Sequence, residues 1–388
     1  MPSTNWWRLA LPSETAVLGL YVHWPFCARI CPYCDFNVFL ARNHDAGSLL
    51  AALCADLAAH RDRIGPRRLA SLHFGGGTPS LMHPHEIGAV IEAADRLFGF
   101  EADPEIGLEA NPSSSARVLF EGFRSAGINR LSLGVQALND QDLARLGRDH
   151  DAASACAAIE AARCVFPRFS IDLIYARHGQ SVGDWERELS QALDMGLQHL
   201  SAYQLTIEEG TPFARQSRRG QIVTPHEDEA ARFYELTDAM TRARGLPAYE
   251  VSNHAAGPCQ QSRHNLLYWR SADWIGVGPG AHGRLTLQGA RLATAAWDSV
   301  TAYVAAVASH GVGWRLVEEL DAGAVVQERV LMGLRLAEGI PITSIPETSR
   351  SRLSGRAAEG LVRVSGDRVV LTAQGRLFTD RIAGELSG

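Results

Sequence analysis

Apolar residues fall into short β-rich runs at 18–23, 69–74, 105–109, 130–134, 169–174 and 199–204. Between them lie Ala- and Leu-rich stretches at 46–60, 85–97, 114–125, 152–163 and 185–195, with Arg, Asp and Glu at helical spacing. Strand, helix, strand at this interval predicts βαβ units around a parallel sheet. Six such units are too few for a closed eight-fold barrel, so the pattern predicts an α/β fold with an open sheet or partial barrel. From 224 to about 313 the pattern is less regular and rich in Gly, His and Trp. Farther on, a helical run at 325–336, a β-like pair at 361–364 and 369–371, and a helix near 374–386 predict a small α+β appendage. The expected organisation is an N-terminal segment at 1–17, a partial (β/α)6 barrel at 18–223, an irregular extension at 224–316 and a C-terminal α+β domain at 317–388.

Composition narrows the class. Of 388 residues, 46% are hydrophobic and 21% charged, which excludes a disordered or collagen-like chain. Lys plus Arg number 37 against 43 for Asp plus Glu, a net charge of -6 that does not support a bulk nucleic-acid binder. No apolar stretch is long enough to predict a transmembrane segment, although association with a membrane surface stays open. Arg8 and Glu14 flank no signal-peptide core, since Pro12, Ser13 and Glu14 break the apolar stretch, so a cytoplasmic location is expected.

Seven cysteines stand at 27, 31, 34, 54, 156, 164 and 259, and three of them fall within eight residues. An odd, clustered set argues against a disulfide framework and for metal. The segment is Tyr21-Val-His-Trp-Pro-Phe-Cys27-Ala-Arg-Ile-Cys31-Pro-Tyr33-Cys34-Asp35-Phe36, a C-x3-C-x2-C loop just after a strand. A [4Fe–4S] cubane has four irons and takes thiolate ligands, so three cysteines leave one iron open to a non-protein ligand. Zinc is the alternative, but a closed structural zinc site wants four ligands, and His23 precedes the loop rather than closing it. Cys54 and Cys156 lie in helical patterns and are expected to pack there, while Cys164 and Cys259 have no partner at ligand spacing.

This loop resembles the signature of radical S-adenosylmethionine (SAM) enzymes, in which the amino and carboxylate groups of SAM chelate the open iron. Further segments extend the resemblance. Gly75-Gly76-Gly77-Thr78-Pro79 follows a strand and is similar to the family's segment for the SAM amino group. Glu109-Ala-Asn111-Pro112, Gln136, Arg148-Asp-His150 and Asp172 lie at or beyond the ends of successive strands, where such sheets assemble sites. The series resembles the coproporphyrinogen dehydrogenase, or HemN-like, branch of the superfamily. The resemblance implies Tyr21, Tyr33, Gly76, Gly77, Thr78, Glu109, Gln136, Arg148 and Asp172 as SAM-pocket residues, and Cys27, Cys31 and Cys34 as cluster ligands.

Two departures separate this chain from the dehydrogenase. The enzyme carries a further cysteine two residues beyond the loop, where Phe36 stands here, and a longer extension before it. Both match a sister family of haem chaperones. That family bears a His-Asn-x-x-Tyr-Trp motif associated with haem binding, and Arg263-His264-Asn265-Leu-Leu-Tyr268-Trp269-Arg270 is similar to it. In a helix His264 and Tyr268 would share one face, either could ligate haem iron, Trp269 could stack on the porphyrin, and Arg263 or Arg270 could meet a propionate. Ordinary packing is the alternative, and His254 and His282 are further ligand candidates. The Gly-rich stretch 273–283 is expected to line the same pocket. Tyr175-Ala-Arg-His178-Gly179-Gln180 departs from the family's Gly-Leu-Pro-Gly-Gln form and leaves the geometry of that loop open.

The resemblance implies a haem chaperone that carries a [4Fe–4S] cluster, SAM and haem as cargo. Its implied partners are acceptor haemoproteins, respiratory ones foremost, and a homodimer stays open. The alternative is an oxygen-independent coproporphyrinogen III dehydrogenase. No catalytic residue follows from the sequence.

Overall fold

A computed structural model describes residues 17–41, 45–114 and 116–388, so all but the last residue of the expected 1–17 segment lies outside the described residues. The first half of the chain forms strands β1 (Leu18–Trp24), β2 (Phe26–Cys27), β3 (Phe39–Leu40), β4 (Leu69–Gly76), β5 (Phe100–Ala110), β6 (Arg130–Gln136), β7 (Phe169–Tyr175) and β8 (His199–Gln204). The second half adds β9 (Asn253–Ala255), β10 (Asp273–Val277), β11 (His282–Leu287), β12 (Ala290–Ala296), β13 (Trp314–Leu320), β14 (Ile340–Pro341), β15 (Val362–Ser365) and β16 (Arg368–Leu371).

One 11-stranded sheet runs in the order β13-β12-β11-β10-β1-β4-β5-β6-β7-β8-β9. The pairs from β10 through β8 are all parallel, whereas β11–β13 and β9 add antiparallel edges. The sheet does not close, and the six strands expected from the pattern form its consecutive run β1-β4-β5-β6-β7-β8. Their near-continuous burial, as in β1 and β7, is what a parallel sheet covered on both faces requires.

Helices return the chain between strands: α1 (Ala46–Ile64), α2 (Pro84–Phe98), α3 (Arg117–Ser125), α4 (Asp140–Arg145), α5 (Ala152–Val165) and α6 (Val182–Asp194). Their starts carry local capping signals. Asp45 and Asp151 accept hydrogen bonds from the N–H groups of Ser48 and Ser154, the third residues of their helices, and Ser181 with Asp184 forms a capping box at α6. The remaining helices are α7 (Pro212–Arg218), α8 (Glu227–Ala243), α9 (Arg263–Trp269), α10 (Val300–His310), α11 (Ala322–Gly333), α12 (Glu347–Ala358), α13 (Ala373–Arg376) and α14 (Thr379–Ser387).

The stretch 224–316 is more ordered than its composition suggests. It holds α8, α9, α10 and four strands of the large sheet, with β13 beginning at its end. These strands are short, and β13 faces solvent along much of its length, so little alternation marks them in sequence. The last part of the chain has its own core of Val330, Leu334, Ile345, Leu353, Val369 and Leu386 around the small sheet β14-β16-β15.

Candidate functional site

The site sits where the parallel strands end. Cys27, Cys31 and Cys34 share a cavity of about 380 Å³ with Gly76, Gly77, Thr78, Glu109, Gln136, Arg148 and Asp172. Tyr33 also lines it, and so does Phe36, whose ring is 63% exposed. Ser132, Gly134 and Gln136 alternate along β6 and so present one face to the cavity, as do Asp172 and Ile174 on β7. Tyr21 is not in the lining; its hydroxyl meets His23 Nδ1 at 3.0 Å behind it.

Both ends of the cysteine loop are tied down. At its start, the N–H groups of Gly77 and Thr78 donate to the carbonyls of Trp24 and Phe26 at 2.7 and 2.9 Å. Gly76 has φ +104, and a side chain there would meet the His23 ring at 2.4 Å, so only glycine fits. At its end, Asn37 Nδ2 donates to the carbonyls of Pro279 and Asp298 at 2.9 and 2.8 Å, and its own carbonyl meets His23 Nε2 at 2.9 Å. The 273–283 Gly-rich stretch therefore supports the cysteine loop from beneath, with Gly278 against the His23 backbone and Gly280 against Asn37. The same stretch meets the His264 segment, where the Trp274 and Tyr268 rings stand edge to face with centroids 4.7 Å apart.

The three thiols are free and none forms a disulfide. Burial pushes the thiol of Cys27 up and that of Cys34 up to about 11, so each keeps its proton until a metal replaces it. Thr78 Oγ1 donates to Cys27 Sγ at 3.5 Å, and Arg148 Nη1 to Cys31 Sγ at 3.3 Å. Hydrogen bonds to sulfur of this kind tune iron–sulfur clusters. Among the described residues no three His, Cys, Asp or Glu converge on one point as ligands of a single ion would. A cubane asks for one thiolate on each of three irons, and three thiols facing one cavity fit that need.

Across the cavity from the loop the groups are polar and held. Arg148 also donates to Asn111 Oδ1 at 2.9 Å and the Gly134 carbonyl at 3.0 Å. Glu109 accepts from the Gly76 N–H at 3.3 Å and lies 3.2 Å from His73 Nε2. Both oxygens of Asp172 lie 3.0 Å from Ser132 Oγ and share its one proton, yet burial, with Glu109 adding to it, pushes the carboxyl up to about 6. Gln136 has φ +70, a conformation that costs a non-glycine residue energy and is found where a site is held in place.

The His264 segment is the helix that its spacing suggests, α9, with Tyr268 Oη 2.6 Å from His264 Nε2. Arg263, Leu266, Leu267 and Arg270 line a cavity of about 330 Å³ with Ser71, but His264, Tyr268 and Trp269 are not part of that lining. His264 is 1% exposed, and its other nitrogen meets Ser71 Oγ at 2.7 Å. Glu105 accepts from the N–H groups of Arg263 and His264 at 3.1 and 3.0 Å, pinning the helix start. Trp269 packs with Tyr249, Leu266 and Leu336, and the Arg335 guanidinium lies 5.8 Å over its ring. His254 is buried on Thr241 Oγ1, while His282 stays exposed on β11.

Sequence reading passed over Ser132, Asp149 and Tyr203, which also line the cavity. Two-residue spacing from Gly134 and Gln136 was the signal for Ser132. The variant loop after Asp172 has a clear structure. Arg177 is buried and pairs with Glu188 at 2.5 Å and Asp142 at 2.9 Å, while His178 accepts from the Val223 N–H at 3.1 Å.

A partial barrel whose strand ends carry this three-cysteine loop defines a radical SAM protein, and the Radical SAM superfamily model matches residues 21–192. Similar proteins include heme chaperone HemW of Mycobacterium tuberculosis, 37% identical over 97% of this chain and 96% of that one. HemW of Bacillus subtilis is 30% identical over 95% of this chain and 98% of that one. Coproporphyrinogen III oxidase (HemN) from Escherichia coli shares the fold with a TM-score of 0.81 at 23% identity, covering 97% of this chain and 91% of that one. Within the superfamily, the chain belongs to the HemW family.

Proposed function

We propose that this protein is a haem chaperone that binds haem and passes it to acceptor haemoproteins, with respiratory proteins as the acceptors. Cys27, Cys31 and Cys34 would hold a [4Fe–4S] cluster, and Gly76, Gly77, Thr78, Glu109, Gln136, Arg148 and Asp172 would hold SAM against its open iron. When bound, the cluster would supply the electron that cleaves a carbon–sulfur bond of the sulfonium.

The observation that carries this reading is the identity to proteins named HemW along nearly the whole chain. Phe36 supports it, because an apolar ring beside the cysteine loop offers neither proton donor nor thiol where the dehydrogenase resemblance calls for one. The likeness to HemN concerns the fold and favours neither function.

An anaerobic side-by-side assay separates the readings. The reconstituted protein is expected to bind haem with a distinct Soret band and to leave coproporphyrinogen III unconverted in the presence of SAM and reductant. Sustained turnover, with haem held no more tightly than by an unrelated protein, would reverse the assignment.

A further inference from the structure

Helix α9 lies against β1, β4, β5 and β10. It meets β4 through Ser71 and His73, on the face of that strand whose His73 reaches the cavity-lining Glu109. Its contacts form an unbroken file. Tyr268 Oη meets His264 Nε2 at 2.6 Å, and the His264 ring stacks on His73 with centroids 5.0 Å apart and planes 17° apart. His73 Nε2 then meets Glu109 Oε1 at 3.2 Å, and Glu109 in turn accepts from the Gly76 N–H. The other nitrogen of His73 is buried without a partner, against Gly107, so the ring proton belongs on Nε2, where a carboxylate accepts it.

Iron ligation demands a nitrogen lone pair that an incoming haem can reach. Both His264 nitrogens are already in short hydrogen bonds, and burial together with His73 holds the ring neutral, well below its ordinary range. Unwinding the helix start to free it would strip the buried Glu105 carboxylate of two backbone N–H donors. One face of the Trp269 ring is likewise taken, by the Arg335 guanidinium.

We propose that His264 and Tyr268 are positioning residues, setting Glu109 for SAM through His73, and are not ligands to haem iron. The proposal rests on the reading of the cavity as the SAM pocket. It also explains why a histidine and a tyrosine one helical turn apart sit far from solvent.

The test uses the full chain with its cluster reconstituted anaerobically, in His264→Ala, His264→Gln and, as control, Glu109→Gln. His264→Ala is expected to weaken SAM about fivefold by calorimetry, within the range of coupling between neighbouring sites, and to alter the electron paramagnetic resonance signal of the reduced cluster on adding SAM. Glutamine can keep a hydrogen bond but is a poor iron ligand, so His264→Gln should recover most of both. Both variants should leave the Soret band of haem-loaded protein in place. A lost or shifted Soret band in both variants overturns the proposal. So does unchanged SAM affinity in His264→Ala when Glu109→Gln has lost it. Unchanged affinity in Glu109→Gln removes the pocket reading itself, and the proposal with it. Should His264→Ala not fold, His73→Gln carries the same expectation.

Discussion

At the scale of single residues, Asp172 shows how a site is built against stability. Its carboxyl is pushed up to about 6, first by burial and then by Glu109, against the hydrogen bonds from Ser201 and Ser132 that favour its charged form. A folded-state value above the unfolded one means that the native protein holds an extra proton between about pH 4 and pH 6. Stability of the ligand-free protein should therefore fall as pH rises through that window, and the ionised group at pH 7 is a strain that a ligand's donors can relieve. Asp172→Asn is expected to raise the ligand-free melting temperature at pH 7 and to flatten its change between pH 4 and 6. The same change should weaken SAM about tenfold or more, the worth of a charge-assisted hydrogen bond. Calorimetry and thermal melts across pH read both effects, and a variant that melts lower at pH 7 would show that the carboxylate is not strained.

At the scale of elements, the turn from β7 to α6 replaces one stabilising device with another. Ala176 takes φ +57, where the family's form has glycine, a conformation costing about 1 kcal/mol for a residue with a Cβ. Arg177, where that form has leucine, reaches Glu188 on α6 and Asp142 on α4, and Glu188 also accepts from the Leu138 N–H at 2.7 Å. These buried bonds lock the segments after β6 and β7 together, just beyond Gln136 and Asp172. Arg177→Leu alone is expected to cost about 3 kcal/mol, because it leaves Glu188 charged and unpaired. Arg177→Leu with Glu188→Gln should recover most of that loss. Urea unfolding of the two singles and the double measures the coupling, and strict additivity would refute the pairing.

The whole molecule decides how the cysteine loop is held. The loop lies near residue 30, yet its floor comes from far along the chain, where β10 pairs with β1 and brings Gly278 and Gly280 beneath His23 and Asn37. The Asn37 to Pro279 bond spans 242 residues of sequence. Reconstituted protein should carry about four irons per chain, as a cubane requires, and replacing Cys27, Cys31 or Cys34 with Ala should remove most of its visible absorption. Gly280→Val should also lower iron retention while sparing all three thiols, since a Cβ there falls 2.6 Å from Asn37 Nδ2 on a backbone with φ +78. Iron and sulfide analysis checks both, and stoichiometric zinc in place of iron would remove the cluster.

What the chain's order of residues determined on its own is whatever depends on near neighbours. Ligand spacing at Cys27, Cys31 and Cys34 is local, and burial on both faces makes the six central strands read as apolar runs between helical periods. Glu109, Gln136 and Asp172 were legible for the same reason, since each lies within its run or two residues past its end. Tertiary structure alone decided which distant segments meet. Nothing near Ser71 announces His264, 193 residues away, and nothing in the Gly-rich 273–283 stretch says that it lies under the cysteine loop. Residues 224–316 looked irregular because their strands are short and mostly do not alternate between buried and exposed positions, and α8 has few buried positions to mark it. His264 and Tyr268 show the limit most plainly. Their helical spacing put them on one face, but only the packing of α9 against β4 and β5 determined that this face points into the protein.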